Sequence, residues 1–476
     1  MKSFKNLVCL LVLQLIFASG FSQGSPVFSA TRLKQDYEIF VRALKEAHPG
    51  LYRYTPREQM DSLFDRAGRS INQDMDEQSF YRLLYPLVTA IHCGHTKLHR
   101  DGRPDDRYAF LNEGLFPLKL YLSDTKAYMA DSYLPESSIP QGAEILSING
   151  VKISVVIETL KKYITADAFG MSAQEEELNH YFNGYYGNFI GTSSTYKVSF
   201  MHNGRRKTVS MPSVTRETIL AREEKNKRPA TEPFRLVFPT AETAMLTIER
   251  FYADKQEPGF HRFIDSCFSL LKTKGIKNLV LDLRNNEGGI EEWGGYLYSY
   301  LTNKEFRYYD RIRVARKDSF SFRQYAWLPP QYDAARALIV EKDGEYLWPM
   351  QEYLQVKSSQ PNAFTGNTYI LTNGFSFSVT SEFASVMRHQ GKAVFIGEET
   401  GGADLVNNSG VFAIVTLPNS RLTVGIPLFS FYMNAPGAVA GRGIIPDHTV
   451  KRSIRDIVEK RDTVLDYTLK LIESNK

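Results

Sequence analysis

The 476-residue sequence predicts an α/β protein, on three observations. Between 243 and 283 a strand pattern (TAMLTIERFY), an amphipathic helix (PGFHRFIDSCFSLLKTKG) and a near-continuously apolar strand (KNLVLDL) follow at the length of a crossover unit, which implies parallel strands buried on both faces. Residues 366–402, GNTYILTNGFSFSVTSEFASVMRHQGKAVFIGEETGG, run as strand, tight turn, helix, strand and glycine-rich turn. Ahead of both, residues 30–90 carry apolar positions at helical spacing.

From the N-terminus, MKSFKNLVCLLVLQLIFASGFSQG has lysines at 2 and 5, an apolar core from Leu7 to Phe17 and then small residues, the three-part pattern of a secretory signal. The core is too short to span a bilayer comfortably, so residues 1–22 are expected to be cleaved, leaving an exported chain, periplasmic or extracellular, with no membrane span. Only Cys93 and Cys267 then remain, which is no disulfide framework, so stability must come from the core. The net charge of +5 with acid and base well mixed, and the lack of a basic run interleaved with aromatics, give no argument for nucleic acid.

Residues 23–111 read as a helical cap of three helices. TRLKQDYEIFVRALKEAHPG ends at Pro49-Gly50, the second runs from Pro56 to Ile71, and DEQSFYRLLYPLVTAI is the third. It leads into IHCGHTKLH, where His92, His95 and His99 stand three and four apart. On a continuous helix they would share a face and could bind a metal, but Gly94 and the β-like T-K-L end the helix there. No metal and no cofactor is expected.

Residues 112–167 resemble a PDZ-type module. IPQGAEILSINGV matches its P-x-G-x-x-I-x-x-I-N-G signature through Pro140, Gly142, Ile145, Ile148, Asn149 and Gly150. Such a module captures an extended C-terminus as an added strand, with Gly114, Leu115 and Phe116 in the loop that would hold the carboxylate, although Pro117 removes one N–H nearby. Residues 168–240 form a connector. It opens on the aromatic, glycine-rich AFGMSAQEEELNHYFNGYYGNFIG, either a cleft lining or a packed loop, continues as a hairpin turning at Asn203-Gly204, and ends in an exposed charged stretch over 213–233. Residues 241–476 are the α/β core, with 303–363 as a cleft-shaping insertion, a hairpin over 417–429 and a closing helix over 452–474.

Within 366–402, hydroxyls crowd the junction of strand and helix. Ser376, Ser378, Thr380 and Ser381 could all be N-caps. Ser378 could equally be a nucleophile, because free N–H groups and the positive end of a helix dipole at its position would stabilise a developing oxyanion. After the buried strand, RNNEGGIEEWGG places glycines where the backbone can approach a ligand closely; no Gly-Lys-Ser/Thr follows to make a phosphate cradle. Asp282 and Arg284 read as structural partners.

Four segments together resemble the tail-specific (C-terminal-processing) and tricorn-core serine peptidases, in that family's order. FSFSVTSEFA is similar to the nucleophile segment, IHCGHTKL (91–98) to D-G-H-T, NLVLDLRNNEGG (278–289) to D-L-R-x-N-x-G-G, and GRGIIPDHTV (441–450) to G-x-G-V-x-P-D. The resemblance implies a crotonase- or ClpP-like spiral of ββα units as the core, polypeptide substrates, Ser378 as nucleophile, His95 as general base, and an oxyanion hole from Gly288 or Gly289 with Val379. Imidazole suits the base role because its ordinary pKa lies near neutrality.

The sequence also departs from that pattern. Bacterial relatives activate serine with a lysine in G-E-x-T-x-G-K, where GEETGGA has Ala403, so the histidine-using branch is the one resembled. That branch has an auxiliary glutamate near G-x-G-V-x-P-D and a serine before its histidine; here AVAGRGIIPD has no carboxylate before Gly441, and Gly94 precedes His95. The third catalytic member is left open among Asp404, Glu398, Glu382 and Glu249. The expected function is an exported serine endopeptidase. The alternatives are a peptide-binding homologue with impaired turnover and a serine hydrolase of small esters or amides.

Overall fold

A computed structural model of the protein describes residues 26–100, 106–226, 233–254 and 259–475. The segment 1–22, read above as an export signal, lies outside them. Among the described residues no helix is long and apolar enough to cross a membrane.

The fold is mixed α/β and is organised on a six-stranded sheet. Thr243–Ile248, Asn278–Asp282, Asn367–Thr372 and Ala393–Gly397 run parallel; His448–Thr449 joins one edge in parallel and Phe234–Thr240 the other in antiparallel. The continuous apolar runs follow from burial on both faces. Leu246, Leu281, Ile370 and Phe395 turn to one face, beneath the helix Phe260–Thr273 with its buried Phe260, Ile264, Phe268 and Leu271. Met245, Val280, Tyr369 and Leu371 turn to the other, against Val464 and Ile472 of the helix Thr463–Ser474. The sequence predicts one closing helix over 452–474, but there are two, Ile454–Val458 and Thr463–Ser474. Ser453 and Asp456 form a capping box for the first, Asp462 caps the second, and Lys460 lies between them at a φ of 54°.

A second sheet pairs Val406–Thr416 with Thr423–Met433 and adds Tyr309–Val314, Glu345–Leu347 and Val340–Lys342 on one side, with Ala326–Trp327 on the other. Residues 303–363 therefore supply strands to a sheet shared with the core. The short strand Lys97–His99 pairs with Thr423–Gly425. The N-terminal helices Ala30–Ala47, Arg57–Ser70 and Glu77–Thr89 share one continuous hydrophobic cluster with both sheets: Phe40, Leu44, Phe80 and Leu84 belong to the same cluster as Ile426 and Phe383. Asp36, fully buried, fastens the first helix by accepting from the N–H groups of Asn419 and Ser420.

Residues 118–212 build a third, antiparallel sheet from Leu118–Ser123, Lys126–Ser132, Glu144–Ile148, Thr195–His202 and Arg205–Pro212, with its own hydrophobic core. The hairpin turn lies at Asn203-Gly204, both at positive φ. Two stretches expected as irregular are helical: Arg216–Asn226, and Met171–Phe189 with non-helical dihedrals at Tyr181. The second shows no amphipathic stripe because most of its length is enclosed on several sides, so even Glu175, Glu176 and Glu177 are buried. Beyond Tyr181, Phe182, Tyr185 and Tyr186 fill the third sheet's core. Before it, Ser172 donates to the Glu399 carbonyl at 2.9 Å and Glu176 accepts from Asn373 Nδ2 at 2.8 Å.

Two ionisable side chains tie the central sheet, and the helix that follows its strand Asn367–Thr372, to their surroundings. Arg284 grips Asp282 through Nε and Nη2 at 2.8 and 2.7 Å and Asp462 through Nη1 and Nη2 at 2.6 and 2.8 Å, joining a strand end to the cap of the last helix. Glu382, fully buried on the helix Val379–His389, accepts from Tyr309 at 2.6 Å and from Asn407 at 2.5 Å. Burial, above all, raises its pKa from 4.5 to about 7. Between those values the native state holds a proton that the unfolded state releases, so this contribution to stability is present in acid and is lost as pH rises through about 7.

Arg284→Ala leaves the Asp282 carboxylate, 10% exposed, without its partner; urea unfolding is expected to register a loss of about 3 kcal/mol. Glu382→Gln removes the proton linkage. Between pH 5 and pH 8 the wild type is expected to lose about 3 kcal/mol more than the variant, measured by urea unfolding at both pH values.

Candidate active site

The nucleophile turn is built at the C-terminal end of the parallel strand Asn367–Thr372, where the chain reverses through Asn373–Phe377 into the helix Val379–His389. Asn373 Oδ1 accepts from the N–H groups of Asn285 and Phe375, Phe377 N–H donates to the Asn286 carbonyl, and Ser376 Oγ donates to the Leu283 carbonyl. The turn is thereby laced to residues 283–286, which follow the neighbouring parallel strand. Gly374 permits the third approach, from below, since a Cβ there would stand 2.3 Å from the Ser172 carbonyl oxygen. Ser378 takes a φ of 56° and a ψ of −126°, a conformation that a non-glycine residue keeps only where its surroundings enforce it.

Ser378 Oγ lies 3.1 Å from Nε2 of His95. The other hydroxyls of the junction do different work: Ser376 and Ser381 donate to backbone carbonyls, and Thr380 is buried with its hydroxyl unpartnered. His95 follows the third N-terminal helix, in the turn before Lys97–His99, so pairing of that strand with Thr423–Gly425 places the ring. The ring stacks on Phe377, centroids 4.4 Å apart and planes at 26°, with Phe412 at 6.2 Å. Burial, and then the Lys97 charge, pushes its pKa down to about 3, so it is a neutral base at pH 7. Lys97 itself is held by Thr165 at 2.7 Å.

For Nε2 to accept the Ser378 proton, the ring's own proton must sit on Nδ1. That atom is buried and has no hydrogen-bond partner among the described residues. None of the four carboxylates considered for the third position therefore reaches it. Asp404 is bound by His389 Nε2 at 3.0 Å and by Val439 N–H; Glu382 is bound by Tyr309 and Asn407. Glu398 lies 3.9 Å from Lys451, and Glu249 faces solvent 3.9 Å from Arg235. Each occupies an ion pair or hydrogen-bond network of its own.

The glycine pair also divides. Gly288, at a φ of 95°, directs its N–H to Asn286 Oδ1 at 2.9 Å, so that donor is spent. A Cβ on Gly288 would stand 2.7 Å from Ser378 Cβ and 2.9 Å from Val379 N, which is how near this loop lies to the serine. Of the three N–H groups of Gly288, Gly289 and Val379, those of Gly289 and Val379 donate to no acceptor among the described residues.

Gly114, Leu115 and Phe116 do not form an open carboxylate loop. Leu115 and Val214 exchange N–H to carbonyl bonds at 2.9 and 3.0 Å, Tyr196 donates to the Gly114 carbonyl, and Phe116 is buried. His92 turns away, with Nδ1 donating to the Ala168 carbonyl at 2.8 Å. Among the described residues no cluster of three or more His, Cys, Asp or Glu could hold a metal, and Cys93 and Cys267 are both buried thiols. The residues that sequence reading missed are Asn286, Asn373 and Phe377. The first two sit in N-N and N-G pairs that read as turn formers, and nothing about a phenylalanine beside a serine announces a stacking partner for a distant imidazole.

Residues 242–450 match the model of peptidase family S41. The fold is similar to that of mature CPAF, with a TM-score of 0.65 at 14% identity over 93% of this chain and 96% of that one. Mature CPAF complexed with lactacystin matches with a TM-score of 0.64 at 13% identity over 93% and 97%. The matched stretch carries the nucleophile turn, the glycine loop and the strands that bring them together, and over these residues the chain matches peptidase family S41, a family of serine peptidases, hydrolases acting on peptide bonds.

Proposed function

We propose that the protein is an exported serine endopeptidase in which Ser378 is the nucleophile, His95 the general base, and the N–H groups of Gly289 and Val379 the oxyanion donors. The 3.1 Å contact between Ser378 Oγ and His95 Nε2 carries this reading. Ser378 Oγ attacks the substrate carbonyl carbon as its proton passes to Nε2, and the carbonyl oxygen becomes an oxyanion facing the two N–H groups. Nε2 then returns the proton to the amine as the C–N bond breaks, leaving an acyl-serine. Water, losing a proton to the same nitrogen, releases the acid and restores the hydroxyl. Each oxyanion donor is worth about 3 kcal/mol in the transition state.

The signal pattern of residues 1–22 supports export, and the P-x-G-x-x-I-x-x-I-N-G match supports a PDZ-like character for the third sheet. The run of parallel strands with intervening helices supports a crotonase- or ClpP-like core. A catalytically impaired peptide-binding protein is the second reading, favoured by the unpartnered His95 Nδ1, since a base whose ring is not oriented turns over slowly.

A fluorophosphonate probe separates the two. The wild type is expected to be labelled and Ser378→Ala not; a wild type that resists the probe while folded would establish the binding protein. His95→Ala is expected to reduce cleavage of an unfolded protein substrate about 10²–10⁴-fold, and undiminished cleavage would remove His95 from the mechanism. Cleavage of small esters without cleavage of unfolded proteins would instead identify a small-molecule hydrolase.

A further inference from the structure

We infer that Asp167 is the residue that positions the His95 ring, its free carboxylate oxygen receiving the Nδ1 proton directly or through one water; this rests on the reading of Ser378 and His95 as nucleophile and base. Among the described residues, two buried polar atoms in one small region lack partners: His95 Nδ1, which must donate for the ring to act as base, and Asp167 Oδ2, which can only accept. Such orphans are rare in folded proteins, and a complementary pair beside a reacting serine is a half-made hydrogen bond.

Asp167 is built into this position. It is 4% exposed, and its Oδ1 accepts from the N–H of Gly94, the residue before His95, at 2.7 Å. Ala168 N–H donates to the His92 carbonyl at 3.1 Å, and His92 Nδ1 donates back to the Ala168 carbonyl at 2.8 Å. The chain is thus stitched at three points to the segment that bears the base. Two of the stitching residues, His92 and Ala168, are at φ values of 55° and 54°, strain that persists only because the surrounding bonds enforce it.

Gly94 completes the arrangement. A Cβ there would stand 2.7 Å from the Phe377 ring and 3.5 Å from Asp167 Oδ1. The carboxylate, the backbone at Gly94, the Phe377 ring and the imidazole stacked on it are therefore successive neighbours. Glycine at 94, in place of the serine that the resembled branch carries, leaves room for Phe377 to support the ring from one side while Asp167 approaches.

The charged and titratable groups around Asp167 are Arg53, Lys97, Tyr54 and Cys93. Burial, first of all, raises its pKa to about 6, while the bonded Gly94 N–H, the nearby Ala403 N–H, which does not reach hydrogen-bond geometry with either oxygen, and the Arg53 and Lys97 charges pull the other way, so the carboxylate is mainly ionised at pH 7. A carboxylate facing the imidazole favours the imidazolium that forms in the transition state.

The test is Asp167→Asn, read by the second-order rate of fluorophosphonate labelling against pH, with the thermal unfolding midpoint as the check on folding. The wild type is expected to label, and the folded variant to label about 10³–10⁴-fold more slowly at pH 7, with the acid limb of its profile moved to lower pH because the imidazole loses its anionic neighbour. A folded variant whose acid limb does not move, whatever its rate, overturns the inference, since a structural role alone leaves that limb in place. A wild type that does not label refutes instead the reading of Ser378 and His95. Should the variant not fold, a high-resolution crystal structure of the wild type decides: Oδ2 within one hydrogen bond or one bridging water of Nδ1 upholds the assignment, and protein atoms between them overturn it.

Discussion

The contact between Ser378 and His95 joins residues 283 positions apart, and everything else in the structure exists on the condition that this separation is closed. Closing a loop of that length costs about 5 kcal/mol of chain entropy, which no hydrogen bond between a hydroxyl and an imidazole returns. The return comes from burial. The N-terminal helices, the central sheet and the second sheet share one hydrophobic cluster, and the base-bearing turn is drawn in because Lys97–His99 adds to a strand of that second sheet. The chemistry depends on a core that merges the first fifth of the chain with its second half.

Placement at the level of tenths of an ångström is left to buried amides and carboxylates. Asn373 binds Asn285 on one side and Glu176 on the other, and Asn286 receives Gly288 N–H while its own Nδ2 donates to the Ile248 carbonyl. Through these side chains the nucleophile turn, the glycine loop and the helix Met171–Phe189 form one buried polar lattice. Each member would be expensive to leave unpaired, which makes the lattice unique in geometry. The same helix continues past Tyr181 into the core of the third sheet, so that module and nucleophile turn are braced by a single element.

Against that thoroughness, the vacant Nδ1 of His95 stands out. A protein that satisfies Asn286, Asn373 and Asp36 so completely leaves its histidine neutral, with a pKa near 3, and unpartnered on the side away from the serine. The carboxylates seen in sequence proximity to the family motifs all serve other partners. The unsatisfied Asp167 lies instead next to the residue before the base, reached from the linker that follows the third sheet's first half.

Local chemistry was legible in the sequence wherever one element or one turn decides it. The strand runs around 246, 281 and 370 announced parallel pairing because both faces of such strands must be apolar, the Asn203-Gly204 turn fixed its hairpin, and the helix beginning after Ser378 followed from periodicity and its stop at Gly391. Arg284 and Asp282 read as structural partners, although their third member, Asp462, is 178 positions from the arginine. The helix Met171–Phe189 escaped notice because enclosure along most of its length erases the stripe that betrays a surface helix. What only the tertiary structure decided is which polar atoms face one another: that Gly288 spends its N–H on Asn286, that Asp404 belongs to His389, and that Asp167 stands beside Gly94. Such partnerships depend on distances between elements remote in the chain, and residue type and spacing along a strand or helix carry no information about them.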